Sequence, residues 1–274
     1  MDIVALSLLI LLAAYIVYFS LRHAWWRANV DFSYPRILMY HMISPHLPKN
    51  RSKFNRLRVT PEAFEKQLQW LHKNGWHTMS MAELSVCQNV PSKTVVLTFD
   101  DGYADNYIYA FPLLKRYNMK ASIYIVTERF NRDWATDKDT KINSDELNNE
   151  AMLTHEMVHE MTHSGLIDIG SHTMHHVNLS ALSLDDKEQE IAKSKELIET
   201  HYGIPCKSFA YPFGFYDQAS IELVQQYGYS SAVTTVPKYS EWKEENRYEV
   251  PRVIISGRQS FFDFKLKMLK GRNR

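Results

Sequence analysis

Cysteine is nearly missing from this chain: Cys87 and Cys206 are the only two in 274 residues. Two thiols make no disulfide framework and say little about compartment, and we read both as free. Net charge is missing as well. The 32 basic side chains meet 31 acidic ones, so nothing points to nucleic acid or to a strongly basic surface. Internal repeats and low-complexity tracts are also absent. What is left is an ordinary globular composition, 45% apolar, with room for one domain of about 230 residues after an N-terminal segment.

A long apolar run occurs once, from Ile3 to Leu21, without a charged residue. As a helix it is about 28 Å long, enough to cross a bilayer. A cleaved signal peptide is the alternative. No basic segment precedes the run and no clean small-x-small site follows it, which favours an uncleaved anchor over residues 1–21. Tyr15, Tyr18, Trp25 and Trp26 suit an interfacial aromatic belt. Arg22 and Arg27 follow the run while only Asp2 and the terminal amine precede it. The positive-inside rule then directs the remainder towards the cytoplasm. Residues 22–34 read as a linker and 35–274 as the folded domain. The lipid bilayer is thus the first expected partner, with a single pass through the cell inner membrane.

The stretch Thr98-Phe99-Asp100-Asp101-Gly102 follows an apolar β-branched run, Thr94-Val95-Val96-Leu97, the pattern of a buried strand. Two adjacent carboxylates at a strand end cannot both ionise cheaply. A bound cation resolves this by taking one as ligand and leaving the other as a base. Asp-Gly alone is also a common turn dipeptide. Downstream, Gly170-Ser171-His172-Thr173-Met174-His175-His176 follows a second strand-like run, Gly165–Ile169. His172 and His176 are four apart, so on a helical turn their rings would face one way. Asp101, His172 and His176 form an O,N,N set suited to Zn²⁺ or a similar divalent ion such as Co²⁺, Ni²⁺ or Fe²⁺. Asp100 stays free as the base.

These two motifs resemble those of the polysaccharide deacetylases of the NodB-homology type, carbohydrate esterase family 4. TFDDG is matched at Thr98–Gly102, and H-[S/T]-x-x-H at His172, Thr173 and His176. The third motif resembles Phe209-Ala210-Tyr211-Pro212-Phe213-Gly214, an aromatic wall that lacks the family's usual arginine. The resemblance spans about residues 35–260. It implies a distorted (β/α)7 barrel and removal of acetyl groups from a cell-envelope or lipid-linked polysaccharide. It also implies a backbone N–H at Tyr211 facing the oxyanion. Many members work on cell-surface glycans, which argues for the opposite orientation to the charge rule. The family's late Leu-x-His acid is absent, since no histidine follows His201. His41, at the end of the run Ile37–Tyr40, is the replacement, and the poly-N-acetylglucosamine deacetylases are similar in having a Tyr-His pair there.

Along the rest of the chain, further strands are expected at Ala121–Val126, Ser208–Tyr211, Ser231–Thr234 and Val253–Ile255. Helices are expected after Thr60-Pro61, over Asn106–Tyr117, Thr154–His163, Gln218–Tyr227 and Phe261–Leu269, and from Ser183 to about His201. Strands separated by helices argue for a parallel closed sheet with chemistry at the strands' carboxyl ends. Residues 128–150 are polar and read as a flap or a solvated loop. Tyr103, Tyr211, Phe213 and Trp242, with Pro212, are candidates to line a sugar groove.

Two rival readings remain. His155-Glu156-Met157-Val158-His159 is a literal H-E-x-x-H, the zinc protease helix signature, although His163 falls at the wrong offset for its extended form. The other is a glycan-binding module without turnover, against which stands the full set Asp100, Asp101, His172 and His176.

Overall fold

The chain alternates strand and helix, and parallel pairing follows. The computed structural model describes residues 3–48, 50, 52–128, 145–239 and 242–271. Its strands are β1 (Arg36–Tyr40), β2 (Met42–Ile43), β3 (Arg58–Val59), β4 (His77–Thr78), β5 (Thr94–Phe99), β6 (Ala121–Ile125), β7 (Ile167–Ser171), β8 (Ser208–Ala210), β9 (Ser231–Val233) and β10 (Val253–Ile254). The helices are α1 (Ile3–His23), α2 (Pro61–Lys73), α3 (Met81–Val86), α4 (Phe111–Tyr117), α5 (Asp145–Asn148), α6 (His155–His163), α7 (Leu184–Tyr202), α8 (Gln218–Gln226) and α9 (Phe261–Lys270). The sheet order is β10-β1-β5-β6-β7-β8-β9 with β4 against β5, and every pair is parallel. This is the expected distorted (β/α)7 barrel.

The strand expectations are met to within a residue or two. The short β2, β3 and β4 were not foreseen, because each is two residues long and, unlike β10 in the run Val253–Ile255, lies in no β-branched apolar run. The polar segment expected as a flap lies largely outside the described residues, and only its ends, Glu128 and 145–150, are described.

Side-chain alternation divides the core. Leu38, Tyr40, Leu97 and Phe99 point outwards to the helices and join the main cluster with Phe64, Leu68 and Leu71 of α2. Ile37, Val96, Tyr124, Ala210 and Val233 point inwards and meet Met81 and Leu84 of α3. Helix α3 is anchored against the first residues of the strands. Met81 donates its N–H to Ser122 Oγ (2.8 Å) and Ala82 to Asp168 Oδ2 (3.3 Å). It therefore closes the amino-terminal end of the barrel as a floor.

The sheet does not close by a ladder between β9 and β10. Residues 247–252 run up the seam instead. Ala232 donates to Arg247 O (2.8 Å), Thr234 to Val250 O (2.9 Å) and Arg252 to Val236 O (3.1 Å).

Helix α1 is 21 residues long, apolar enough to cross a membrane by length and composition, and has no buried residue. Such a helix can be an anchor or a signal sequence.

The floor contains an unusual carboxylate. Burial pushes the Asp168 pKa up to about 6, although Ser122 and the Ala82 N–H pull it down. A carboxyl raised above its unfolded value binds more protons when folded, so its contribution to stability falls as pH rises from about 4 to about 6. Chemical denaturation of wild type and Asp168→Asn at several pH values should show the stability difference between them moving by about 1–3 kcal/mol in favour of the variant across that window. A difference that does not vary with pH would contradict the shift.

Candidate active site

Alternation along β5 continues into the motif. Val96 and Thr98 face the barrel interior, so Asp100 does too. Register pairs Tyr40 with Phe99, and Asp100 donates its N–H to Tyr40 O (3.0 Å). That sets His41, at the end of β1, beside Asp100. Asp101 then adopts a left-handed conformation (φ 77°), which turns a second consecutive carboxylate towards the same site. Gly102 (φ 77°) follows, and a Cβ there would lie 3.0 Å from Ile125.

The histidine motif sits at the end of β7, and it is not a helical turn as the four-residue spacing suggested. Thr173 (φ 66°) and His176 (φ 58°) are left-handed, and a hydrogen-bonded loop brings the rings together. Thr173 Oγ1 accepts from His176 N–H (2.9 Å) and Ser171 Oγ from Thr173 N–H (3.2 Å). Glu190, on α7, accepts from the N–H groups of Met174 (2.9 Å) and His175 (3.0 Å) and pairs with His175 Nδ1 (2.7 Å). His175 is therefore a loop anchor rather than a ligand. Gly170 allows β7 to pass close to β8: a Cβ there would lie 2.5 Å from the Tyr124 ring and 2.7 Å from Ser208 O.

Asp101, His172 and His176 are all buried, and among the described residues they form the one group of His, Cys, Asp and Glu side chains able to hold a metal ion. His172 Nε2 is 3.5 Å and His176 Nε2 is 3.4 Å from Asp101 Oδ1. Those separations are long for hydrogen bonds. They match the edge of a tetrahedron with bonds of about 2.0–2.1 Å, which is about 3.3–3.4 Å. His172 donates Nδ1–H to Ala210 O (2.7 Å), which leaves the Nε2 lone pair facing Asp101. The donor set thus fits a divalent ion. Burial opposes ionisation of Asp101, but the imidazoles of His172 and His176 that face its carboxylate, with His41 nearby, hold its pKa well below the usual range.

The residue that sequence reasoning missed is Arg252. It is fully buried and clamps Asp100 with two bonds, Nη1 to Oδ1 (2.6 Å) and Nη2 to Oδ2 (2.7 Å). Nη1 also reaches Thr98 Oγ1 (3.1 Å), and Nε donates to Thr234 O (2.8 Å). Burial pushes the Asp100 pKa up, and Arg252, helped by His172 and His41, brings it below its ordinary value. Arg252 comes not from the third motif, which lacks an arginine, but from the approach to β10.

Of the expected groove residues, Phe213 lines the site, its ring 4.4 Å from that of His176, and Phe215 beside it is exposed. Pro212 is buried. Three assignments need correction. Tyr211 is fully buried and outward-facing, stacked on Tyr216 (4.3 Å) with its hydroxyl donating to Tyr248 O (3.1 Å). Its N–H, expected at the oxyanion, is donated to Val233 O (3.2 Å). Tyr103 is 1% exposed, packed with Met42 and Leu147, and offers no stacking face. Trp242 packs against the floor cluster of Met81 and Leu84, at the opposite end of the barrel.

The protease reading also fails on geometry. His155, Glu156 and His159 lie exposed on α6, with His155 Nδ1 bonded to Tyr202 Oη (2.9 Å). They belong to no metal-holding group among the described residues.

Comparison with known proteins agrees with this geometry. The polysaccharide deacetylase family model matches residues 87–232. YxkH of Bacillus subtilis (strain 168), a polysaccharide deacetylase by name, is 33% identical over 237 residues, covering 85% of this chain and 75% of its own length. The poly-beta-1,6-N-acetyl-D-glucosamine N-deacetylase of Staphylococcus epidermidis is 25% identical over 241 residues, 80% of this chain and 78% of that protein. Among solved structures, the Streptococcus pyogenes deacetylase PplD in complex with acetate superposes with a TM-score of 0.71 at 26% identity, over 88% of this chain and 99% of that one.

Arg252→Met should cost about 3–5 kcal/mol of stability, because it leaves Asp100 charged and unpaired in the interior. Arg252→Lys, which keeps the charge but not the fork, should recover part of it. Thermal melts of the three proteins decide this. Equal melting temperatures for wild type and Met variant would show that the pair does not hold the site.

Proposed function

The chain belongs to the polysaccharide deacetylase family, and from that premise we propose that it hydrolyses N-acetyl groups on N-acetylhexosamine units of a cell-envelope or lipid-linked polysaccharide. One observation carries the reading: a buried O,N,N triad with metal-like spacing beside a second carboxylate that is held ionised. A poly-β-1,6-N-acetylglucosamine chain is the first substrate to try, given the Staphylococcus epidermidis relative. Helix α1 anchors the catalytic unit, residues 35–274, in the cell inner membrane.

Asp101, His172 and His176 would hold the divalent ion, Zn²⁺ before Co²⁺, Ni²⁺ or Fe²⁺. A bound ion of this kind supplies Lewis acidity to the acetyl carbonyl and acidifies water. The chain's own residues manage the protons. Asp100 accepts the proton of the attacking water, and Arg252 orients it and keeps it ionised. His41 is half-buried at the adjacent strand end and close enough to act on the charge of both carboxylates. It delivers a proton to the leaving amine, which is a poor leaving group without one. Phe213 and Phe215 offer an apolar wall for the sugar ring.

Acetate release by the full chain in detergent, on β-1,6-linked N-acetylglucosamine oligomers with added Zn²⁺ or Co²⁺, tests this. Asp100→Asn and His41→Ala should each lose about 10²–10⁴-fold in kcat while keeping the metal. A chelator should abolish turnover and added metal restore it. Metal bound at the triad without acetate from the wild type would favour the binding module. Full turnover by His41→Ala would remove that residue from proton transfer.

A further inference from the structure

Helix α9 runs antiparallel to the barrel strands. It begins six residues after β10 reaches the site-bearing end, and its last turn lies at the start of β1, where Arg36 Nε donates to Met268 O (3.1 Å) and Val30 N–H to Leu269 O (2.8 Å). The loop before it is tied to the rim of the barrel, where Gly257 donates to Arg56 O (2.9 Å). Its first turn is capped by Ser260 and Asp263, which accept from each other's N–H groups. Phe264, Leu266 and Met268 bury its inner face. Phe261 and Phe262, in the same first turn, remain 38% and 37% exposed.

That turn is also where the last part of α1 packs. Phe19 stacks on Phe262 (5.8 Å, 27° between planes), and His23 meets the Phe262 ring at 5.3 Å and Asp263 at 3.4 Å. A 21-residue helix is about 31 Å long, close to the thickness of the hydrocarbon core, so its last turn emerges at the headgroup level. Phe261 and Phe262 are fixed at that level. Trp25 and Trp26, 51% and 53% exposed, follow immediately in the chain, and exposed Arg22, Arg27 and Arg258 lie within three residues of these rings in sequence. Aromatic rings with arginines close by in the chain suit an interface with anionic headgroups.

We propose that Phe261 and Phe262, together with Trp25 and Trp26, insert into the bilayer interface as a second membrane contact beside α1, turning the site-bearing end of the barrel towards the lipid surface and its floor away. This rests on α1 lying in the membrane. The consequence is a substrate preference: glycan close to the membrane meets the site before free polymer does.

The test uses the full chain in phosphatidylglycerol-containing vesicles, in a Cys87→Ser background. A polarity-sensitive fluorophore is attached in turn at Phe261→Cys, Ile10→Cys and the floor control Val86→Cys. At position 261 we expect blue-shifted emission, quenching by brominated lipid, and iodide quenching about threefold weaker than at position 86. If position 10 is protected while 261 is as open to iodide as 86, the interfacial contact is wrong and the anchor stands. If position 10 is itself open to iodide, α1 is not in the membrane and both fail. Protection of 86 equal to that of 261 would overturn the proposed tilt.

Discussion

The Asp100 half of this site depends on one buried ion pair. Asp100 and Arg252 lie 152 residues apart, and neither is accessible to solvent on its own account. A buried pair of this kind is weak evidence of net stability, but breaking it is expensive because the remaining charge has nowhere to go. The pair also sits at the place where the barrel lacks a ladder. Its guanidinium joins Thr98 and Asp100 on β5 to Thr234 beyond β9, and its backbone N–H reaches Val236. Closing the sheet and holding Asp100 ionised are thus one interaction. A change at the seam would be felt at Asp100, and the reverse.

The triad depends on a different resource, backbone strain. Asp101, Thr173, His176 and Phe213 are all left-handed, a region non-glycine residues occupy at a cost of order 1 kcal/mol or more each. Each is held by the surrounding structure. Asp101 follows a strand fixed by five register pairs with β1, and the Thr173–His176 turn is threaded by Ser171, Thr173 and Glu190. Three side-chain atoms able to ligate a metal ion therefore converge within a buried space.

This strain explains what could be read from residues alone and what could not. The six longer strands and the two-residue β10, the capped starts of α2 and α7, and the O,N,N triad follow from apolar runs and local motifs. The helical reading of the histidine motif failed because spacing alone does not distinguish a helix from a loop closed by left-handed residues. Arg252 left no local trace. It is one arginine between a proline and a short strand, and only the three-dimensional closure of the sheet shows its partner. The aromatic candidates failed for a related reason. Alternation along β8 assigns Ala210 to the interior and Tyr211 to the helix side, so a buried tyrosine and a groove tyrosine look alike in one dimension. Trp242 went to the floor because the segment after β9 descends to the amino-terminal end before returning at 247–252.

The strand register bears on the missing late histidine. Ile37 faces inward, so period two makes Met39 and then His41 inward as well, as Val96, Thr98 and Asp100 are on the neighbouring strand. Pairing of Tyr40 with Phe99 puts the two potential proton carriers on adjacent strand ends, in environments of opposite character. Asp100 is sealed against Arg252 and keeps its charge, whereas His41 is open enough to exchange protons with water at the mouth. A base that must stay ionised and an acid that must be recharged between turnovers need that difference. The acid proposed at His41 is fixed by the same hydrogen bonds that position Asp100, the proposed base, so the distance between them varies less than if it came from a separate loop. Residues 247–252 serve the seam, and the first turn of α9 presents its aromatic rings at the same end of the barrel.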